Sequence, residues 1–204
     1  PKVHILTLSA TPIPRTLQSS IFKIRDISLI KTPPIDRLNV KTFLTIYEDS
    51  SIKKIVNNEL DRNGQIFYVT PRISDIENLK KKIHKLFPGV IISVIHGKLK
   101  NSEVERIYDD FYRKKIQILI STAIIESGLD LSNVNTILIE KPYMFGLSQL
   151  YQLRGRVGRS SIQGYAYLVL EKNLRIDENS INRLKIISKI TQLGAGLSIA
   201  SNDL

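Results

Sequence analysis

The feature that most constrains the fold is a series of short apolar segments that alternate with segments of helical period. The apolar segments are rich in β-branched residues and cover residues 40–47, 65–70, 90–95, 116–120, 136–139 and 164–170. Between them apolar residues recur every three or four positions, as at Ile52, Ile55 and Val56. Strands that are apolar throughout are buried on both faces, which is typical of parallel sheets covered by helices. The sequence therefore predicts an α/β fold, a doubly wound parallel sheet with helices on both faces.

The clearest candidate for a domain boundary is the pair Pro33-Pro34, because consecutive prolines hold the backbone extended. We therefore expect residues 1–34 to lie outside the main domain, which covers residues 35–172. Residues 173–204 return to helical spacing and predict a C-terminal helical extension. The chain opens on Pro1 rather than methionine, so we expect it to be a piece of a longer protein.

Two helix starts are indicated by capping boxes, in which a serine is followed three residues later by glutamate. The first box is at residues 74–77 (S-D-I-E) and the second at residues 102–105 (S-E-V-E).

Charge and composition narrow the classes of partner. Thirty Lys and Arg against 19 Asp and Glu give a net charge of +11, which favours a polyanionic partner. AT-rich codon usage would also enrich lysine, so the net charge alone leaves both explanations open. The absence of cysteine excludes disulfides, and three histidines make a metal site unexpected. All apolar runs are too short to cross a membrane, so we expect a cytoplasmic chain without membrane contact.

The most unusual local sequence is residues 149–159 (Q-L-Y-Q-L-R-G-R-V-G-R). Arginine presents a planar fork of N–H donors that suits phosphate oxygens, and glycine lets the backbone approach a ligand closely. A solvated basic loop is the alternative interpretation of an isolated R-G-R triplet.

Polar residues directly follow the apolar segment at 116–120. Ser121 and Thr122 place two hydroxyls where they could donate to a phosphate, and Asp130, after Gly128, could accept from a ribose hydroxyl. The alternative is that Ser121 and Thr122 merely cap the next helix.

A second polar group, His96-Gly97-Lys98, follows the segment at 90–95. The glycine allows close approach and the lysine offers charge, whereas a histidine such as His96, taken alone, is more often a hydrogen-bonded structural residue. Ligands of parallel sheets bind at the carboxyl ends of the strands, so we expect the unusual residues to gather at that edge.

In this order and spacing, these motifs resemble the second motor domain of a superfamily 2 helicase. Residues 9–12 (S-A-T-P) are similar to motif III, and residues 96–97 to the segment between motifs IV and V. Residues 122–130 are similar to motif V and residues 152–159 to motif VI.

The resemblance can be narrowed within that superfamily. Residues 11–17 and 147–159 resemble the group shared by RecG-type helicases and transcription-repair coupling factors. Residues 25–42 are similar to the interdomain linker of the coupling factors. The stretch 65–96 is compact, whereas RecG-type proteins tend to carry extra residues there, which also favours the coupling factors. The tail at 192–204 is similar to the approach to the helical-hairpin motif that those proteins use for translocation.

The resemblance implies two RecA-like lobes that clamp one ATP with Mg²⁺ between them. No G-x-x-x-x-G-K-[ST] occurs in this sequence, so the phosphate loop and metal ligands are expected in a first lobe outside it. Arg156 and Arg159 are implied as arginine fingers, and Gln152 as a residue that positions the phosphate or the attacking water. Gly128 and Asp130 are implied to meet the ribose or the opposing lobe.

The remaining implied roles concern DNA and the coupling of the lobes. Ser121, Thr122, Gly97 and Lys98 are implied to hold the backbone of the tracked strand. Residues 9–11 (Ser9, Ala10 and Thr11) are implied to couple the nucleotide state to the cleft. They lie in residues 1–34, the expected end of the first lobe and the linker.

The implied partners are double-stranded DNA, the first RecA-like lobe and, through modules outside this sequence, RNA polymerase and excision-repair proteins of a bacterial cytoplasm. The chain alone is expected to lack ATPase activity. Two alternatives stay open: a RecG-type helicase that reverses forks, and a module that binds nucleic acid without turning over ATP.

Overall fold

The computed structural model describes residues 28, 38–123, 134–158 and 161–189, and the expected alternation of strands and helices is present in them. The strands are β1 (Lys41–Ile46), β2 (Ile66–Val69), β3 (Ile92–Ile95), β4 (Ile118–Ser121), β5 (Thr136–Glu140) and β6 (Tyr165–Leu170). The helices are α1 (Asp49–Leu60), α2 (Ile73–Leu86), α3 (Asn101–Tyr112), α4 (Leu147–Arg154) and α5 (Glu178–Lys189), with a 3₁₀ turn at Pro142–Met144.

The six strands form one parallel sheet in the order β1-β6-β5-β2-β4-β3. Ser121 at the end of β4 lies opposite Val69 of β2 on one side and Ile95 of β3 on the other. The carboxyl ends of these three strands therefore lie side by side.

Helices cover both faces of the central strands β2, β4 and β5, which are buried throughout as predicted, whereas the edge strand β1 is largely exposed. Along β5, Ile137 and Ile139 join a core cluster with residues of α3, α4 and α5, whereas Leu138 joins a second cluster with residues of α1 and α2. This alternation follows from the two-residue period of a strand. The predicted α/β class and the two helical layers are confirmed.

Both predicted capping boxes are wrong in position. Helix α2 begins at Ile73, because only three residues connect it to β2. Its N-cap residue is Arg72, which makes no side-chain capping bond. Helix α3 begins at Asn101, and Glu103 Oε2 accepts from the backbone N–H of Lys100 at 3.3 Å. The packing of each helix on the sheet sets its start, and the local serine signal does not decide it.

Helix α5 confirms helical structure in the first part of the expected extension. Leu184 and Ile187 are buried in the core, and the helix contacts β1 and α4. This part therefore packs on the sheet, while the division of the chain at residues 34 and 172 stays a prediction. The motif III segment at 9–12, the prolines at 33–34 and the tail at 192–204 lie outside the described residues.

Candidate nucleotide and nucleic-acid sites

The carboxyl edge of the sheet brings two of the predicted groups together. Because Ile95 lies opposite Ser121, the chain leaves β3 into His96, Gly97 and Lys98 beside the point where it leaves β4 into Thr122. The expected convergence at this edge is confirmed for these residues.

Of the residues at this edge, Thr122 has the environment that most favours a bound ligand. The residue is 3% exposed, and its Oγ1 has no hydrogen-bond partner among the described residues. Burying a hydroxyl without a partner costs free energy, so native proteins usually satisfy such groups. A ligand oxygen at this edge of the sheet would provide the missing partner.

The neighbouring residues are already engaged in holding the local backbone. Ser121 Oγ donates to the carbonyl of Thr122 at 2.8 Å, so its hydrogen is not free for a ligand. His96 Nδ1 accepts from the backbone N–H of Lys98 at 3.3 Å, which supports the structural interpretation of this histidine. Gly97 and Lys98 are exposed.

Thr70 was not among the predicted site residues, although it follows β2 as Thr122 follows β4. Its Oγ1 is also buried without a hydrogen-bond partner among the described residues. The signal was available, since Thr70 is a hydroxyl residue directly after an apolar segment. The two threonines occupy equivalent positions because Val69 and Ser121 are register partners.

The arginine-rich stretch is only partly a loop. Its first half belongs to α4, which ends at Arg154, and residues 155–158, termed here the arginine loop, follow it. Gly158 N donates to the carbonyl of Val134 at 3.2 Å, just before β5 begins. The loop therefore lies at the amino edge of the sheet.

The expectation that all candidate residues share the carboxyl edge is wrong for Gln152 and Arg156. Strand β5 ends at the carboxyl edge and β6 starts at the amino edge, so α4 must carry the chain back between them. Gln152 lies near the end of this helix and Arg156 just after it. Both side chains are half-buried and make contacts within the protein.

A close crossing of two glycines holds the arginine loop in place. Gly158 has φ +66°, and a Cβ added to it would lie 3.1 Å from the Cα of Gly164. A Cβ on Gly164 would lie 2.7 Å from the Cα of Gly158, closer than a side chain permits. Glycine at both positions therefore lets the loop cross the segment that leads into β6.

Arg154 has a structural partner in this arrangement. It is 7% exposed, and its Nη2 donates to the carbonyl of Val40 at 3.0 Å. This arginine holds the start of β1 against the end of α4. Arg156 is therefore the first arginine of the stretch that lies outside the helix.

The remaining predicted site residues lie outside the described part of the chain. They are Ser9, Ala10, Thr11, Gly128, Asp130 and Arg159. Their roles stay predictions.

The two candidate sites lie on opposite edges of the sheet. Strand β4 has four residues, which corresponds to about 13 Å of extended chain. One phosphate group cannot contact both Thr122 and Arg156. The arrangement therefore suits two different anionic ligands, one at each edge.

A cavity of about 240 Å³ lies at the carboxyl edge near β1, β5 and β6, away from Thr122. Burial raises the pKa of the Glu140 carboxyl in its wall, and the charges of Lys82 and Lys141 oppose that rise. The volume is below the usual range for small-molecule ligand pockets. None of the candidate site residues lines it.

Comparison with known proteins agrees with the fold and with the motifs. Residues 49–161 match the helicase conserved C-terminal domain. The chain belongs to this helicase C-terminal domain family.

Relatives from several bacteria share the name transcription-repair-coupling factor. The chain is 46% identical over 200 residues to a transcription-repair-coupling factor of Rickettsia prowazekii and 46% identical over 202 residues to that of Borreliella burgdorferi. A third, from Myxococcus xanthus, is 44% identical over 203 residues. These matches cover 98–100% of this chain but only 17–18% of the relatives' lengths.

Solved structures show the same architecture. A structure of RecG bound to a three-way DNA junction matches with a TM-score of 0.78 and 33% identity, covering 95% of this chain and 26% of that one. A DEAD box protein from Methanococcus jannaschii matches with a TM-score of 0.58 and 21% identity, covering 88% of this chain and 48% of that one, and shows the shared fold alone. In the described part of the chain, the helices are too short or too polar to cross a membrane.

Proposed function

We propose that this chain is the second motor lobe of an ATP-dependent translocase of double-stranded DNA, of the transcription-repair coupling type. The observation that carries the proposal is the separation of two candidate residues on one sheet, with the unpartnered Thr122 hydroxyl at the carboxyl edge and Arg156 at the amino edge. The similarity to proteins named transcription-repair-coupling factors supports the particular type. In the proposal a first lobe completes the motor, and "the intact protein" below means both lobes together.

In this proposal ATP with Mg²⁺ supplies a transferable phosphoryl group, and the chain's own residues act on it from the amino edge. The guanidinium of Arg156, with that of Arg159, stabilises charge on the phosphoryl oxygens when the lobes close. Gln152 orients the phosphate or the attacking water, and Gly128 and Asp130 meet the ribose or the opposing lobe. The described edge fits this role because its glycine crossing presents Arg156 on a well-supported loop.

The carboxyl edge holds the DNA in this proposal. Thr122 Oγ1 donates to a backbone phosphate, and exposed Lys98 adds a charge beside Gly97, where backbone can approach closely. Ser121 shapes the turn through its bond to Thr122. Closure of the lobes on ATP and release after hydrolysis then move the DNA grip relative to the first lobe, with Ser9, Ala10 and Thr11 as the coupling segment.

The intact protein is proposed to push a stalled RNA polymerase and to recruit excision-repair proteins through modules outside this chain, in the bacterial cytoplasm. A polymerase stalled on DNA should be displaced by the intact protein with ATP, and this chain alone should hydrolyse no ATP. Failure of displacement despite DNA-dependent ATP turnover would contradict the coupling role.

RecG-type fork reversal is the second candidate, favoured by the structural match at 33% identity to RecG. The same preparation separates the two, since a RecG-type enzyme should migrate a branched junction and leave a stalled polymerase in place. A third outcome, binding of DNA without any ATP turnover by the intact protein, would favour a binding module.

Replacing Thr122 by valine in the intact protein is expected to weaken DNA binding about 10-fold or more, because one hydrogen bond to a charged phosphate is lost. Stability should change little, since the hydroxyl has no partner among the described residues. Thr122→Ser keeps the hydroxyl and is the matched control. DNA titration and thermal unfolding measure the two effects, and a variant that loses stability but keeps DNA affinity would contradict the role.

A further inference from the structure

The segment that precedes β1, residues 38–40, is bound to both flanks of the arginine loop. We term it the lead-in segment. Arg154, on the α4 side of the loop, donates from Nη2 to Val40 O at 3.0 Å. Gln163, on the β6 side, donates from Nε2 to Asn39 O at 2.7 Å. The lead-in segment thus joins the two ends of the loop through side chains distant in sequence.

The lead-in segment also fills the space beside the glycine crossing. The Val40 side chain is buried, and its Cγ2 would lie 3.0 Å from a Cβ on Gly158 and 3.3 Å from one on Gly164. Val40 therefore packs directly against the backbone of both glycines. A displacement of Val40 would change the packing that supports the arginine loop.

Gln163 is also held from the opposite side, by Arg62 at the end of α1. Arg62 donates from Nη1 to Gln163 O at 3.0 Å and is ion-paired with the buried Glu59 at the end of α1. Gln163 therefore connects a fixed point on α1 with the lead-in segment. The lead-in segment lies within residues 25–42, the stretch that is similar to an interdomain linker.

We propose that the lead-in segment positions the arginine loop, and that Arg154 and Gln163 are positioning residues for Arg156. This inference rests on the proposed function, in which the linker joins this lobe to the first one. A change in the path of the linker would pull on Asn39 and Val40, and the two hydrogen bonds would transmit the shift to the loop. The position of Arg156 is thereby tied to the relative position of the lobes as well as to the nucleotide.

The decisive variant is Gln163→Met in the intact protein, since methionine keeps the length of the side chain and removes the donor to the carbonyls of Asn39 and Gly164. We expect kcat for ATP hydrolysis to fall about 10-fold, because small displacements of a positioned group have large effects on rate. The dissociation constant for nucleotide should stay within about twofold, since binding depends less on the exact position of this group. Amide hydrogen exchange across residues 155–158 should accelerate about 10-fold, because the loop opens more often. Arg154→Met should act in the same direction.

Gln65→Met is the matched control. Gln65 is buried, and its Nε2 donates to the carbonyls of Phe111 and Ile116, at 2.6 and 2.7 Å. This variant loses the same kind of amide-to-backbone bond, to carbonyls at the end of α3 and before β4 instead of to the lead-in segment. It should lower stability while leaving kcat and exchange at residues 155–158 near the wild-type values.

Equal losses of kcat in Gln163→Met and Gln65→Met would assign the effect to general destabilisation and overturn the proposal. Unchanged exchange at residues 155–158 in Gln163→Met would overturn it as well. A wild-type intact protein without ATP turnover would instead refute the proposed function. The exchange measurement would still decide whether the lead-in segment holds the loop.

Discussion

Replacing Arg156 by alanine in the intact protein is expected to lower kcat for ATP hydrolysis roughly 10³- to 10⁵-fold. The loss is this large because an arginine finger acts mainly on charge that develops in the transition state. Nucleotide binding should persist, since most contacts to the ground-state nucleotide are expected from the first lobe. Steady-state turnover and nucleotide titration of the same preparation measure both quantities.

Two further variants sharpen this prediction. Arg156→Lys keeps the charge but loses the planar fork, and should remain strongly impaired if the fork geometry matters. Arg113→Ala removes an arginine that is 64% exposed at the end of α3 and should leave turnover unchanged. Equal losses of binding and turnover in Arg156→Ala would show that Arg156 holds the ground state, and would count against a finger role.

Replacing Arg62 by methionine is expected to destabilise the domain by about 3 kcal/mol, the low end of the range for breaking a buried ion pair. The Glu59 side chain is 1% exposed, and Oε2 accepts from Arg62 Nε at 2.9 Å, from Arg62 Nη2 and from Thr136 Oγ1. Without Arg62 the carboxylate would stay buried with a single hydroxyl donor. The Arg62 side chain is 28% exposed, so water reaches the site and limits the cost. Urea unfolding of the 204-residue chain measures the change.

A double variant tests the cause of that loss. Glu59→Leu combined with Arg62→Met removes both charges, and should recover much of the stability lost in Arg62→Met alone. Arg113→Met breaks the exposed pair with Asp109 and should cost less than about 1 kcal/mol. If Arg62→Met cost no more than Arg113→Met, the buried pair would not support the amino edge as argued.

The ion pair between Glu59 and Arg62 matters for the candidate site because Arg62 is also hydrogen-bonded to the segment that follows the arginine loop. Arg62 binds the carbonyl of Gln163, and Gln163 binds Asn39. A variant that loosens Arg62 should therefore also loosen the segment between Gly158 and β6. Contacts thus connect Glu59 and Arg62, at the end of α1, with the segment that follows the arginine loop, about a hundred residues later in the chain.

Much of the fold could be predicted because the strands carry a simple physical signal. Segments such as residues 116–120 are apolar on both faces, and only a sheet covered on both sides buries them. The helix starts at Ile73 and Asn101 could not be predicted from the capping signals, because sheet packing and short connections decide where a helix begins. The family resemblance separated Arg156 from Arg154, but composition and spacing could not show that Arg154 is buried against Val40 while Arg156 follows the helix end.

Local composition and order suffice for the α/β class, the two helical layers, and the family resemblance at residues 96–97, 122–130 and 152–159. The edge of the sheet at which Thr122 and Arg156 lie depends instead on the path of the chain in three dimensions. Helix α4 carries the chain back across the sheet, so Arg156 lies at the amino edge while Thr122 lies at the carboxyl edge. The contacts that hold the arginine loop join Asn39, Val40, Arg62 and Gly164. Residues so far apart in sequence meet only after the parallel strands have brought them to a common edge.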